Sequence, residues 1–506
     1  MNRRAFLAAS AAATLVPVSR VRAETLPDLE AEARALAARP WVPPDLTLPP
    51  PFDALDYDSY RAIRPRPGGG AEIALGDGIR AQLLPRGWLH RQPVAIHPPG
   101  DAMPHPFSVA DYDFDARYFP EAPAEPDFAG AGHSGLRFTG PLNRPDRADE
   151  IAVFQGASYF RALARDTVYG LSARALALGT GGPAPEEFPA ITRIVLAPVE
   201  DRAIPMGALI DSPRASAAFF ARIRPGAPTV MGCRLVLFPR QALPDAGIAP
   251  LTSMFFFGPI GPGFADDFRP AVHDSDVLWM RNGAGETLWR PLANPARVQV
   301  SAFLDDGPRG FGLLQTPRGF EGFEDAEGAY HRRPQAWVEP AGDWGRGAVH
   351  LLEIPTRDEY ADNIAAFWRP AEPLAPGRAH RFAYRLVWSA GAPPAEHELT
   401  PVRSASGIEP VERRGRLFVI DFAGAPHPDP ATLTLEVAVP DAAGAVSGAT
   451  VYRLAETGRL RASFVFTPAP GAEAAELRAT LRDAGGAPMA PVWLFRWTPP
   501  RDPATP

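Results

Sequence analysis

The chain has 506 residues, enough for more than one hydrophobic core. Its 46% apolar and 22% charged residues are those of a globular protein, but 61 prolines oppose long helices and suit strands joined by turns. All 51 lysine-plus-arginine positions are arginine, and the formal charge of −7 becomes −11 without the four arginines of an N-terminal leader. That acidity argues against nucleic acid and anionic lipid as partners and suits a neutral ligand.

The leader is residues 1–23, "MNRRAFLAASAAATLVPVSRVRA". Paired arginines (Arg3, Arg4), a short alanine-rich apolar run and a small-x-small ending at Ala23 predict a twin-arginine signal and export to the bacterial periplasm. No later segment approaches 18 uninterrupted apolar residues. The single cysteine, Cys233, has no partner within the chain for a disulfide and reads as a buried strand position in "MGCRLVLF".

Residues 24–50 read as an N-terminal arm. From about residue 70 the pattern is mostly of period two: "RVQVSAF" places Val298, Val300 and Ala302 on one face, and "HRFAYRLVW" places Phe382, Tyr384, Leu386 and Trp388 together. Such alternation predicts half-buried antiparallel strands. "RNGAGETLW" and "DDGPRGFG" carry hairpin and loop signals, while 159–164 and 212–221 allow only short helices. A proline-rich stretch at 389–401 predicts a linker. The strands that follow, in "RLFVIDF", "ATLTLEVAV", "RASFVF" and "PVWLFRW", outline a small immunoglobulin-like sandwich.

Carboxylates concentrate in two loop-like stretches. The first is 266–276, "DDFRPAVHDSD", with Arg269 and His273 among four aspartates; the second is 356–368, "TRDEYADNIAAFW". Between them lie Tyr330, Trp337 and Trp344 among arginines, acids and glycines, where binding and catalysis commonly sit. Aromatic faces stack on sugar rings, and two carboxyl groups flanking a glycosidic bond suffice for its hydrolysis, one protonating the leaving oxygen and the other activating water or attacking carbon. These residue types therefore allow a glycosidase. A calcium site in "HDSD" or "RDEYAD" lacks EF-hand spacing and its glycine. Zinc would need more histidine or cysteine than His273 and His331 supply, and neither a phosphate loop nor a nucleophile elbow is present, since "GLSAR" lacks the second glycine. No metal or cofactor is expected.

The phrases "YRAIRPRP", "FQGASYFRALARDTVYGLSARALAL", "GIAPLTSMFFFG", "DDFRPAVHDSD", "LWRPLANP", "WVEPAGDWGRGAVHLLEIPTRDE" and "DNIAAFW" resemble the periplasmic glucan biosynthesis proteins, the G/D family of osmoregulated periplasmic glucans. The resemblance runs over residues 60–388 and is weaker beyond. It implies an all-β chain: a large galactose-mutarotase-like β-sandwich over 24–390, a linker at 391–401 and an immunoglobulin-like domain over 402–506. It also implies action on β-1,2-glucan, as an inverting glucanase or a transglycosylase. Carried over by position, the essential carboxylates are Asp274, Asp362 and, in support, Glu359. Arg269, Tyr330, Trp337, Trp344 and Tyr360 are the expected substrate contacts. An inverting mechanism expects carboxyls roughly 6.5–9.5 Å apart.

The chain departs from the family where "YAD" replaces Thr-Asn-Asp, putting Tyr360 and Ala361 beside Asp362. A bulky ring there bears on whether water or a sugar hydroxyl is the acceptor. The competing reading is a non-catalytic partner that binds nascent glucan for the membrane glucosyltransferase. An epimerase would rest on fold analogy alone.

Overall fold

The computed structural model describes residues 28–499 except 122–123, 125–129, 262–265, 392–396 and 425–427. The leader and the middle of the linker lie outside the described residues.

Two large sheets carry the fold, and the chain is all-β as expected. The first has eleven strands. It runs from Glu72–Gly76 through Ile79–Pro85, His133–Gly140, Asp149–Gln155, Tyr159–Ala162, Ser172–Arg174, Ala246–Ser253, Ile364–Pro370 and Arg346–Glu353 to the edge strand Gln299–Asp306, with Ala177–Leu178 pairing beside Ala246–Ser253. The second, of thirteen strands, has the long Ala215–Arg224, Thr229–Pro239 and His380–Ser389 near its middle. Alternation explains the packing: Phe382, Tyr384, Leu386 and Trp388 are buried, while Arg381, just before them, faces solvent. Cys233 is fully buried in Thr229–Pro239.

The C-terminal strands form a two-layer sandwich. One layer is Thr400–Ile408, Arg416–Ala423, Leu460–Pro468 and Gly444–Arg453. The other is Thr434–Ala438, Ala475–Arg482 and Val492–Trp497, and it joins the thirteen-stranded sheet by parallel pairing of Leu288–Trp289 with Val492–Trp493. Phe418 stacks on Phe464 between the layers at 5.3 Å. A buried ion pair lies where these parts meet. Arg290 Nη2 is 2.9 Å from Glu353 Oε2, both side chains are out of water, and the guanidinium sits 5.4 Å above the Phe495 ring.

Several local expectations are corrected. The stretches 159–164 and 212–221 hold strands, not helices, Tyr159–Ala162 and the start of Ala215–Arg224, because both strands lie between paired neighbours in the sheets. Val298, Val300 and Ala302 share a face, but that face is exposed; the strand Gln299–Asp306 turns Gln299 and Phe303, on its other face, inward. The turn in "DDGPRGFG" crosses between the two sheets rather than closing a hairpin, whereas "RNGAGETLW" does close one, pairing Val277–Arg281 with Thr287–Pro291. The arm begins with a helix, Leu29–Ala37, capped by the Asp28 carboxylate and packed through Leu29 and Ala33 on Phe220, Val236 and Phe238.

Between the large sheets and the C-terminal sandwich, Asp276 lines a crevice with Trp289, Thr316 and Ser404. Burial pushes its carboxyl from 3.8 up to about 6, against the pull of hydrogen bonds from Thr316. The fold therefore favours the protonated form, and that stabilisation is lost as pH rises through about 6. Asp276→Asn removes this titration. Its melting temperature relative to the unaltered protein is expected to be higher at pH 7.5 than at pH 5; a pH-independent difference would contradict the assignment.

Candidate functional site

Three loops converge, and Arg269 ties them together. Its guanidinium lies 2.7 Å from Asp267, 2.7 Å from Asp325 and 2.7 Å from Glu359. The Glu359 contact is two-pronged, with the second bond at 2.9 Å. These bonds hold Glu359 below the usual carboxylate range, with burial opposing and the Tyr330 hydroxyl assisting. Tyr330 donates that bond to Glu359 Oε1 at 2.6 Å. The Arg333 guanidinium covers the Tyr330 ring at 3.7 Å and pairs with Asp274. A continuous chain of contacts thus leads from Arg269 through Glu359, Tyr330 and Arg333 to Asp274.

Asp274 is nearly inaccessible. Burial pushes its carboxyl above the ordinary range; Arg333 pulls it down, and the charge of Asp362 pushes it up again. The two aspartates are therefore electrostatic neighbours. Asp362 itself is open: its side chain is 40% exposed and its Oδ2 is 3.8 Å from Arg161. The adjacent Asn363 anchors it, donating to the carbonyls of Phe255 and Ile354 at 3.0 Å each and accepting from the Phe255 amide at 2.8 Å.

The crowded acids of "TRDEYAD" thus have separate tasks. Asp358 accepts from the Tyr360 amide in a turn that Thr356 also holds, Glu359 belongs to the Arg269 cluster, and Asp362 faces the open site. In "HDSD", Asp274 goes to Arg333 and Asp276 to Thr316, so these carboxylates serve different partners.

The structure brings Asp274, Asp362, Glu359, Arg269 and Tyr330 into one locality. It does not bring the two tryptophans there. Trp337 packs in the core against Trp279, at 6.1 Å, and over Gly310 and Gly312, where a Cβ would strike its ring. Trp344 is buried among Trp368, Phe382 and Tyr384. Both rings, expected as substrate contacts, are thus occupied by core packing. Tyr330 has Arg333 on its ring and Phe323 stacked at 5.9 Å, which makes it a structural link instead of a platform. Arg269 spends its donors on three carboxylates. Tyr360 is 89% exposed, pointing to solvent rather than into the cluster.

The sheet supplies residues that sequence reasoning missed. Tyr159 and Arg161 alternate onto one face of their strand, Arg161 standing across from Val153 and Tyr159 across from Arg174. Arg174 lies 4.5 Å over the Tyr159 ring and donates to Thr252 at 3.2 Å. Further along, Arg137 bonds Gln82 at 2.7 Å and Glu150 at 2.6 Å. A polar stripe therefore runs across the sheet to Asp362. The signal was the alternation in "ASYFRA", read as a short helix.

Because Arg269 is the shared cation of three carboxylates, Arg269→Met leaves them facing one another. Proteolytic cleavage in 323–333 and 356–362 is expected to be faster. Unchanged cleavage would refute the clamp.

Comparison with known proteins gives consistent results. The family described as "Periplasmic glucan biosynthesis protein, MdoG" matches residues 25–497. "Glucans biosynthesis protein G" of Rhodopseudomonas palustris (strain BisA53) is 42% identical, over 98% of this chain and 100% of that one. Its namesake from Vibrio cholerae serotype O1 (strain ATCC 39541) is 44% identical over 92% of this chain and 85% of that one. The one from Bradyrhizobium diazoefficiens is 41% identical over 99% and 100%. A solved polysaccharide lyase matches at 10% identity and a TM-score of 0.19, over 73% of this chain and 45% of that one, too distant to bear on fold or function.

Proposed function

Since the chain belongs to the MdoG family of periplasmic glucan biosynthesis proteins, we propose that it is an enzyme acting on β-1,2-glucan, with Asp274 and Asp362 as its acid/base pair. The family's description is periplasmic, and the twin-arginine leader is the proposed route of export.

One observation carries this reading: two neighbouring carboxyls in opposite environments. Asp274 is buried, with its proton affinity raised, while Asp362 is open to solvent beside Arg161. A pair with separated environments can divide proton donation from proton acceptance. In hydrolysis one carboxyl protonates the glycosidic oxygen as the C–O bond breaks. The other takes a proton from the water whose oxygen bonds the anomeric carbon, so one water is consumed per bond. In transfer a sugar hydroxyl replaces that water. Glu359, kept ionised by Arg269, supports the pair by fixing Tyr330 and, through it, Arg333.

Time-resolved NMR on linear β-1,2-glucan tests this. Inverting hydrolysis produces the α-anomer first, and transfer produces new linkages or products one water lighter than a linear chain. Glucan recovered unchanged would contradict the enzyme reading. A second reading has its own support: the relatives are named for glucan biosynthesis, and the polar stripe could hold a glucan chain without cutting it. On that reading the protein presents nascent glucan to, or receives it from, the membrane glucosyltransferase, and it binds glucan with no turnover.

A further inference from the structure

Tyr57, Trp88 and Leu89 form an apolar ledge that the site as described does not use. Tyr57 is 51% exposed and Leu89 73%. The Trp88 ring, half-buried, lies 5.3 Å from the Tyr57 ring, 5.7 Å from His90 and 6.3 Å from Tyr60. Below them the Tyr60 hydroxyl accepts from Gln155 Nε2 at 2.7 Å and donates to the Pro85 carbonyl at 2.9 Å, so the underside of the ledge is fixed to the sheet.

The ledge is held at a conformational cost. Trp88 has φ +49°, in the left-handed region that a bulky side chain rarely adopts. It sits in a tight turn closed by Gly87 and His90, whose backbones exchange hydrogen bonds at 3.2 and 2.8 Å. Gly87 presses on its neighbours so closely that a Cβ would lie 2.8 Å from Leu55 and 3.2 Å from the Tyr60 ring. The turn leaves Leu89 and part of the Trp88 ring in water. Such strain collects at functional positions.

Its place relative to the carboxylates follows from strand register. Arg161, next to Asp362, stands across from Val153. Gln155, which holds Tyr60, is two residues along the same strand and on the same face, about 7 Å away. His90 reaches the following turn, its Nδ1 3.7 Å from where a Gly156 Cβ would be. Burial, with the charge of Arg161 adding to it, lowers His90 to about 4, so this imidazole adds no charge to the ledge at neutral pH. The Arg61 guanidinium lies 5.1 Å over one face of the Tyr57 ring, leaving the Trp88 ring as the main apolar surface, and this surface, in line with a polar floor, fits the apolar face of a pyranose.

We propose that Trp88 and Tyr57 form a stacking subsite for a glucopyranose unit of the glucan, a few units away from the bond held at Asp274 and Asp362. The proposal rests on the reading of the site as glucan-binding.

Trp88→Gly suits the test because glycine tolerates the left-handed backbone, so the turn folds while the ring is lost. Tyr57→Ala, at an exposed position, is the second variant, and Trp88→Phe the conservative one. Affinity for linear β-1,2-glucan is read by calorimetry, and KM and kcat by product formation, on long chains and on short oligosaccharides. Trp88→Gly is expected to weaken binding of long chains about tenfold, with kcat within about twofold and short substrates unaffected. Tyr57→Ala should do the same more weakly, and Trp88→Phe should restore most of the loss. Unchanged affinity and KM for long chains in both ring-loss variants would overturn the subsite while the glucan reading stands. An unaltered protein that neither binds nor converts the glucan would overturn both.

Discussion

Asp362→Asn is expected to lower turnover of β-1,2-glucan by at least about a hundredfold, as loss of a general acid or base does, while glucan binding stays within a few fold. The substitution keeps the shape of the side chain, and the anchor is the neighbouring Asn363, so the loop should hold its place. The open position of Asp362 also makes a folding defect a poor explanation for lost activity. Asp274→Asn should likewise abolish turnover, but it breaks a buried pair with Arg333, so its melting temperature should fall where that of Asp362→Asn does not. Full turnover in Asp362→Asn would place the chemistry elsewhere.

The largest expected effect on stability is at the junction of the sheets. Arg290 and Glu353 are 1% and 0% exposed, and Glu353 Oε1 also accepts from the Ala293 amide at 2.7 Å. Removing one partner strands the other charge away from water, at a cost of about 3–5 kcal/mol. Arg290→Met and Glu353→Gln should each lower stability by about that amount in urea or thermal unfolding. The double change Arg290→Met with Glu353→Leu should recover a large part of it, because two apolar side chains leave no buried charge. Single variants within about 0.5 kcal/mol of the unaltered protein would contradict a buried pair and match an exposed one.

How far the sequence was legible depended on whether the relevant partner was local. The alternation of Phe382, Tyr384, Leu386 and Trp388 reported a buried face because a strand inside a layered sheet has one. The same alternation at Val298, Val300 and Ala302 misled, since period two marks a face without saying whether another layer covers it. Trp337 looked like a loop aromatic amid glycines. Gly310 and Gly312, on the neighbouring strand, are the space its ring fills, a match visible only once the register is known.

At the site, the carboxylate-rich stretches were legible, and the resemblance singled out Asp274, Glu359 and Asp362. The division of labour among them was not, because it is set by Arg269, Arg333 and Arg161 from three other segments. Arg161 in particular pairs with a residue far along the chain. The strained Trp88 turn carries no sequence signal beyond its preceding glycine, because a left-handed tryptophan is a property of the fold around it.

The central claim is that this chain cleaves or transfers β-1,2-glucan through Asp274 and Asp362. The most direct measurement is the time course of products from linear β-1,2-glucan, by mass spectrometry, with the unaltered mature protein and with Asp362→Asn side by side. Shorter or rearranged glucans from the first and none from the second are the predicted result. Unchanged glucan from both, or equal conversion by both, would contradict it.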